Sequence, residues 1–515
     1  MKTVELNLTP EEYHNETLLR EAAAHRLRIS AGEVVHVEVV KRSLDSRRGV
    51  HYNCVAEVYV AGEPYKAKEY CSPYQDCHDA KRRVVIVGAG PAGLFGALRA
   101  LELGLKPIVV ERGKAVEERK RDIAQMVRSG SVNGESNWCF GEGGAGTYSD
   151  GKLYTRSTKR GNIGDVLSKF VEHGADPKIM IDAHAHIGTD RLSPIIAAMR
   201  KTIEGHGGEM HFGMRMSDLL TKDGVVSGIR CADGTTVDGD AVLLATGHSA
   251  RDVYELFHRR GWLLEAKPFA MGVRVEHPQS LINEIQYHGK GYSPLLPPAA
   301  YSLTTQVGGH GVFSFCMCPG GVIVPASTCD GEQVVNGMSN ASRSSAYANS
   351  GIAVTVSAGD VAEYARYGEL ALLRFQQDVE SRVFEAAGGG LRAPGQRLTD
   401  FCEGRSTGRL NRSNYMGEYV HGELEAMLPG FVCESLRVAF RDFGRKMRGF
   451  YTSEASLLAV ESRTSSPVRI PRGDDGEHPQ LRGLYPCGEG AGYAGGIVSS
   501  AMDGIRQMER IGLNR

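Results

Sequence analysis

RVVIVGAGPAGLFGALRALELGLKPIVVER, residues 83–112, reads as strand, glycine turn, helix and strand. Residues 84–87 form an unbroken apolar run, the pattern of a strand buried on both faces of a parallel sheet. Gly88-x-Gly90-x-x-Gly93 follows at once, with Pro91 and Ala92 inside it. The first glycine permits a tight turn, the second lets a diphosphate approach the backbone, and the third lets the helix pack on the strand. The helix N-terminus adds unpaired N–H groups and a partial positive charge. Leu94, Leu98 and Leu101 share one helix face, and Gly104 ends it. The second strand, 107–110, ends in Glu111, followed by Arg112. Glu111 stands eighteen residues beyond Gly93, close to the spacing at which a carboxylate grips the ribose of an adenosine. A charge ending a buried strand needs a partner, so the segment reads as a dinucleotide-binding unit rather than an ordinary βαβ unit. The same carboxylate disfavours NADP, whose 2′-phosphate would meet a like charge.

The chain has 515 residues, more than one core usually holds, so two or three domains are expected. Its 60 basic and 61 acidic residues nearly cancel, which gives no reason to expect nucleic acid or an anionic membrane as partner. No apolar run reaches the ~18 residues of a membrane span. The start, MKTVELNLTPEEYHNE, lacks the apolar core of a secretory signal. The 11 cysteines are odd in number and scattered. A cytoplasmic location with reduced thiols is the expectation. Clustered glycines among the 64 suit close backbone approach to a ligand rather than disorder.

Residues 1–80 precede the nucleotide unit and are expected to form a small α+β domain of roughly ferredoxin-like type. Thr9-Pro10-Glu11-Glu12 starts a helix with a cap, and residues 34–40 and 55–60 alternate like strands. The basic segment 41–49 between them reads as a solvated hairpin. After Glu111 comes Gly141-x-Gly143-x-x-Gly146. No buried strand precedes it, so it is not a second nucleotide turn; a loop lying against a flat ligand is expected instead. Residues 179–186 read as a strand, 189–205 as a helix, and 240–246 as a buried strand ending Ala245-Thr246-Gly247-His248. Residues 257–460 lose the βαβ rhythm and include a helical stretch at 361–387. They are read as an inserted domain. The expected division is therefore 1–80, a first nucleotide segment 81–256, the insert 257–460, and a returning segment 461–515. The fold class is α/β, with a discontinuous Rossmann-like domain.

The chain resembles flavoproteins of the glutathione-reductase and p-hydroxybenzoate-hydroxylase type. The residues that carry the resemblance are Gly88-x-Gly90-x-x-Gly93 with Ala97, Gly104 and Glu111, then Ala245-Thr246-Gly247, then Cys487-Gly488-Glu489. More narrowly, it is similar over nearly its full length to bacterial proteins described as FAD-dependent or NAD(FAD)-utilising dehydrogenases. Gly143-Gly144-Ala145-Gly146-Thr147 through Lys152, Glu461-Ser462-Arg463 through Arg469, and Gly490 through Gly496 carry that likeness. The resemblance implies bound FAD. Glu489 would stand where an aspartate usually holds the ribityl chain, and Gly495, Gly496 and Ile497 would open a helix aimed at the flavin. It implies a two-electron oxidoreductase acting on a small organic substrate, with NAD(P)H as a transient co-substrate, since no second strand-anchored fingerprint occurs.

Flavin carries the redox chemistry, so polar groups beside it are the ones to find. Arg463 and Arg469 could clamp an anionic substrate or the flavin edge, and Lys152 could contact flavin or substrate. His184-x-His186 has no matching acid or cysteine cluster, so no metal site is expected. Cys316-Met317-Cys318 reads as ordinary thiols, because a redox disulfide of the resembled class would follow the first nucleotide turn. The cluster Arg437, Arg441, Arg445, Lys446 and Arg448 reads as a solvated helix face. Two other functions fit the motifs: a flavin-dependent RNA-modifying enzyme, and a non-enzymatic FAD-binding sensor or docking protein. The oligomeric state is not legible.

Overall fold

A computed structural model of the protein describes residues 1–155 and 161–514. The first module has three antiparallel strands, Lys2–Leu8, Val34–Asp45 and His51–Val60, with the last in the middle. The helices Pro10–His14 and Glu16–Leu27 supply the second layer, and Val4, Leu6, Leu8, Ala23, Ala56 and Val58 fill the core between. The α+β layer is present, but it is one strand short of a ferredoxin-like sheet. Residues 61–80, which would have to add that strand, carry Pro64, Pro73 and a run of charges and pair with nothing in a sheet. The basic hairpin contributes one clasp to the rest of the molecule. Arg42 donates from Nε and Nη2 to the two carboxylate oxygens of Asp182 at 2.6 and 2.7 Å. Its N–H donates to the Ile181 carbonyl at 2.8 Å, and its own carbonyl accepts from Ala183 at 2.9 Å.

Five parallel strands form the nucleotide layer, in the order Leu484–Pro486, Ala241–Leu244, Arg83–Val87, Lys106–Val110, Glu209–His211. The central three are wholly apolar inside, as continuous hydrophobic runs require when both faces are covered. Helix Pro91–Glu102 connects strands Arg83–Val87 and Lys106–Val110 and packs on helix Ile497–Leu513. Their contact is close: a Cβ at Gly504 would stand 2.0 Å from the Ala92 carbonyl oxygen. Residues 179–186 do not form the expected strand. Asp176 caps a 3-10 turn over Pro177–Met180, and only two isolated bridges follow, Arg42 with Asp182 and Lys152 with His186. Proline and the capping aspartate favour the turn over extended pairing.

A seven-stranded sheet fills most of 257–460, in the order Thr304–Val307, His310–Cys318, Tyr347–Val356, Phe269–Pro278, Ser456–Glu461, Arg392–Arg397, Glu418–His421. Helices Ala371–Ala386 and Gly430–Lys446 cover it. The helical stretch starts ten residues later than the sequence suggests. Residues 358–370 are 3-10 turns broken at Val361 and at Gly368, where φ is +57°. The chain enters and leaves this layer side by side, Glu265–Ala266 pairing antiparallel with Val468–Arg469. On helix Gly430–Lys446, Arg437 pairs with Glu425, and Arg445 and Lys446 pair with Asp442. Among the described residues no helix is long and apolar enough to cross a membrane.

Glu276, on the central strand Phe269–Pro278, is 1% exposed. Burial pushes its carboxyl up to about 7, against hydrogen bonds from Ser413 and the Asn414 N–H. The folded state therefore holds a proton that the unfolded state releases near 4.5. Stability conferred at low pH is lost as pH rises from about 4.5 to about 7. Glu276→Gln is expected to stabilise the protein at pH 8 by ~1–3 kcal/mol and to leave it unchanged near pH 4. Urea unfolding at the two pH values checks this; an equal effect at both would contradict it.

Candidate functional site

The turn at the head of the nucleotide layer is shaped by two glycines. Gly88 has φ +106°, and a Cβ there would lie 2.4 Å from the Ala245 carbonyl oxygen. A Cβ at Gly93 would lie 1.9 Å from the Gly88 carbonyl oxygen. Helix Pro91–Glu102 follows with Gly90 as its uncapped N-cap, so its first N–H groups have no side-chain acceptor. Glu111 is buried and braces this turn. Its Oε2 accepts the Ala89 N–H at 2.8 Å, and its Oε1 accepts the N–H groups of Gly113 and Gly141, each at 2.9 Å. A carboxylate has about four acceptor sites, which leaves capacity for a ribose hydroxyl. Arg112 lies 4.0 Å over the Phe140 ring and pairs with Glu135 and Asp252.

The second glycine cluster lies directly against the first. Gly143 N–H donates to the Ala89 carbonyl at 2.8 Å. A Cβ at Gly144 would sit 3.0 Å from Gly90 Cα, and one at Gly146 3.1 Å from Ile497. The segment Gly144–Tyr148 is a 3-10 turn with no strand before it. Thr147 is buried and donates from Oγ1 to the Glu142 carbonyl at 3.1 Å, fixing the loop.

These elements open on one cleft of about 1530 Å³. Gly88, Gly90, Pro91, Ala92, Glu111 and Arg112 line one end. Gly144, Ala145, Gly146 and Lys152 line it from the second cluster, and Ala245, Thr246, Gly247 and His248 from the strand end. Gly488, Glu489, Gly495, Gly496 and Ile497 close that side. Of the expected cofactor residues, Gly93, Gly143 and Thr147 do not reach the cleft and act on the backbone beneath it. The floor is cut for a flat ligand: side chains at Gly247 or Gly495 would meet nothing within 4 Å and would project into open space. His248 Nδ1 is buried without a hydrogen bond, 3.4 Å from Glu489 Oε1. Beneath Glu489, Asp503 accepts the Gly488 N–H at 2.8 Å and two hydrogen bonds from Arg472 at 2.9 and 2.6 Å. The sequence reading missed Asp503; its signal is an acid on the buried face of the last helix, beside Val498, Met502 and Ile505.

The three catalytic candidates fall in different places. Lys152 lines the cleft, and its ammonium donates to the Met317 carbonyl. Burial opposes the charge, but Cys316, Cys318 and Asp150 nearby hold the ammonium above its ordinary range. Arg463 touches the cleft wall but is bound inward, to Glu380 at 3.0 Å, Glu332 at 2.6 Å and Thr328 at 2.8 Å. Its guanidinium is a strut rather than a free clamp. Arg469 lies outside the cleft, 3.4 Å from Glu265 and over the Tyr493 ring. His184 and His186 line the far half; His186 Nε2 is 3.2 Å from the Ala341 carbonyl, and His184 meets Tyr154 edge-on.

An uncharacterized protein of Clostridium beijerinckii is 38% identical over 98% of this chain and 97% of its own length. The chain belongs to that protein's family. Residues 83–127 match an FAD binding domain, 268–464 match the FAD-dependent protein, C-terminal domain-like family, and 1–59 match a domain of unknown function. Two solved structures align loosely along most of the chain. One is 2,6-dihydroxypyridine-3-hydroxylase from Arthrobacter nicotinovorans, with 12% identity, 84% of each chain covered and a TM-score of 0.37. The other is an oxidoreductase from Methanosarcina mazei, with 13% identity, 83% of this chain and 100% of the other covered, and a TM-score of 0.33. This family member is an FAD-binding flavoprotein with a Rossmann-like nucleotide layer. Its uncapped helix start, its buried Glu111 and the open side of Gly247 and Gly495 fit the cofactor.

Gly495→Val tests the fit directly. The backbone there needs no positive φ, and the new side chain enters only the cleft. FAD affinity is expected to fall at least ~10-fold, about 1.4 kcal/mol, with the thermal midpoint of flavin-free protein unchanged. Flavin fluorescence titration and circular dichroism read the two quantities.

Proposed function

We propose that the protein is an FAD-dependent oxidoreductase that moves two electrons between FAD and a small organic molecule held on the insert side of the cleft. The observation that carries this reading is continuity. One cleft is lined both by the Glu111 turn and by Tyr301, Phe315, Cys316 and Met447 of the insert and Arg42 and Tyr52 of the first module. Ligand pockets usually span ~300–1,000 Å³, so a cleft of about 1530 Å³ has room for a dinucleotide and a second molecule.

Bound FAD supplies the hydride chemistry. In this reading Gly88, Gly90 and the helix start at Pro91 hold the diphosphate, and Glu111 takes the adenosine ribose. Gly488, Glu489 and the helix start at Ile497 face the flavin end, where a positive helix terminus favours negative charge. His248 Nδ1 and Glu489 Oε1 face each other 3.4 Å apart at that end of the cleft. Lys152 contributes a cation on the substrate side. Arg463 is a positioning residue that locks the Glu380 and Glu332 carboxylates behind the wall. The division into a first module, a nucleotide domain interrupted at 257 and resumed at 461, and a substrate-facing insert belongs to this proposal. So does transient nicotinamide binding at the flavin face. No specific observation favours the RNA-modifying alternative: Arg42 and Arg437 are paired with Asp182 and Glu425, while Arg445 and Lys446 form exposed pairs with Asp442.

Anaerobic mixing with NADH, then separately with NADPH, tests the donor. Bleaching of the flavin absorbance by one of them is the expected result. Reduction by dithionite but by neither nucleotide would overturn the nicotinamide step. Purified protein that carries no flavin and takes up none would overturn the whole reading.

A further inference from the structure

The strand His310–Cys318 carries a defect where it faces the cleft. Its pairing with Tyr347–Val356 shifts register between Phe315 and Cys318, a β-bulge. Cys316, at the bulge, has φ +45°, a conformation rare for a residue with a side chain. Bulges and strained residues of this kind cluster beside active sites. Cys316 lines the cleft, whereas Cys318 is fully buried behind it.

Three groups hold the pair. Arg274, itself fully buried, donates from Nη2 to the Cys316 carbonyl at 2.7 Å and approaches Cys318 Sγ at 3.6 Å. Its Nη1 is 2.8 Å from Glu461, so the guanidinium cannot shift away. Lys152 donates to the carbonyl of Met317, between the two cysteines. Cys318 points its thiol back at residue 316, with Sγ 3.2 Å from the Cys316 carbonyl. The Cys318 thiol thus lies beside residue 316 on the side away from the cleft. The neighbouring Cys318 thiol, with Lys152 and Arg274, holds Cys316 well below the usual thiol range, against burial and the Asp150 charge. The Cys316 neighbour and burial hold Cys318 well above it.

We propose that Cys316 and Cys318 form a two-thiol reaction site on the substrate side of the cleft, which takes low-molecular-weight disulfides. Cys316 is the attacking thiolate and Cys318 the resolving thiol. The Cys316 thiolate attacks one sulfur of R–S–S–R, forming Cys316–S–S–R and expelling RS⁻. Cys318 then gives its proton to the expelled RS⁻ and attacks the Cys316 sulfur, expelling a second RS⁻ and leaving a Cys316–Cys318 disulfide. The dithiol is oxidised by two electrons and the substrate is reduced by two. A thiolate in front with a protonated thiol in reach behind it is the arrangement that such exchange needs. A single nucleophile aimed at another electrophile would have no use for the second sulfur.

The inference rests on reading this half of the cleft as the substrate side, but its test does not involve flavin reduction. The full-length holoprotein, reduced and carrying Cys71→Ser and Cys329→Ser to remove the exposed thiols, is mixed with 5,5′-dithiobis(2-nitrobenzoate). A fast phase is expected to release two equivalents of thiolate and leave a product without adduct, lighter by two hydrogens. Cys318→Ser is expected to release one equivalent and retain the adduct. Cys316→Ser is expected to slow the phase at least ~100-fold. Persistence of the fast phase in Cys316→Ser, or of two equivalents in Cys318→Ser, would overturn the proposal. Independently of any variant, iodoacetamide at pH 6.5 is expected to label Cys316 of the unmodified protein before the exposed Cys71. The reverse order would also overturn it. A burst without nicotinamide bleaching would leave this site standing and remove only the proposed donor, and bleaching without a burst would do the opposite.

Discussion

Glu380→Ala is expected to destabilise the protein by about 3–5 kcal/mol, the cost of stripping one partner from a buried ion network. Glu380, on helix Ala371–Ala386, is fully buried. Its carboxylate accepts from Arg251 Nη2 at 2.8 and 2.9 Å, from Arg463 at 3.0 and 3.2 Å, and from the Ser462 hydroxyl at 2.5 Å. Arg251 and Arg463 both also reach Glu332. Alanine leaves two guanidinium groups facing one carboxylate in a space closed to water. Although burial opposes it, the two arginines hold the Glu380 carboxyl well below its usual range. The stability it confers is therefore complete above the unfolded value near 4.5 and is lost as pH falls toward the folded one. The difference between wild type and variant should be full at pH 7 and should shrink in acid. Urea unfolding at pH 7 and pH 4 checks it. A variant within ~0.5 kcal/mol of wild type at pH 7 would show that the network is solvated.

Glu111→Ala is expected to abolish retention of FAD. Three backbone N–H groups, of Ala89, Gly113 and Gly141, lose their acceptor at once. An orphaned buried donor costs about 1–3 kcal/mol. Part of that falls on the folded protein as a whole, because Gly113 and Gly141 join neighbouring loops. The rest falls on the bound state, where the turn must present its N–H groups to the diphosphate. Affinity is expected to drop at least ~100-fold, about 3 kcal/mol. Flavin absorbance after desalting, with fluorescence titration of the stripped protein, measures it. Stoichiometric flavin in desalted Glu111→Ala would sink the assignment of this turn.

The nucleotide turn was legible because its chemistry is local: three glycines, a strand before them and an acid after them all fall within thirty residues. The contact of Gly144 with Gly90 was not, since nothing in either segment names the other. Arg463 shows the same limit. Its charge invited a clamp reading, but its partners Glu332 and Glu380 lie 131 and 83 residues away in sequence. Arg469 was drawn in by its neighbourhood in the motif and points to Glu265 instead. Residues 179–186 misled because their apolar alternation is that of a strand, while Asp176 and Pro177 start a turn. Cys316 and Cys318 were visible as a spacing, but the bulge that turns one to the cleft and the other to Arg274 depends on pairing with Tyr347–Val356.

The packing of helix Ile497–Leu513 on helix Pro91–Glu102 also sets a timetable. The two elements that begin at the cleft are separated by about four hundred residues of chain. At ribosomal speeds of ~5–20 residues per second, the first helix start waits about 20–80 seconds for the second. The strand Leu484–Pro486 that completes the sheet edge arrives just as late. Full cofactor capture thus waits until both helix starts have been made, and a product terminated before residue 497 is expected to lack the yellow colour of bound flavin.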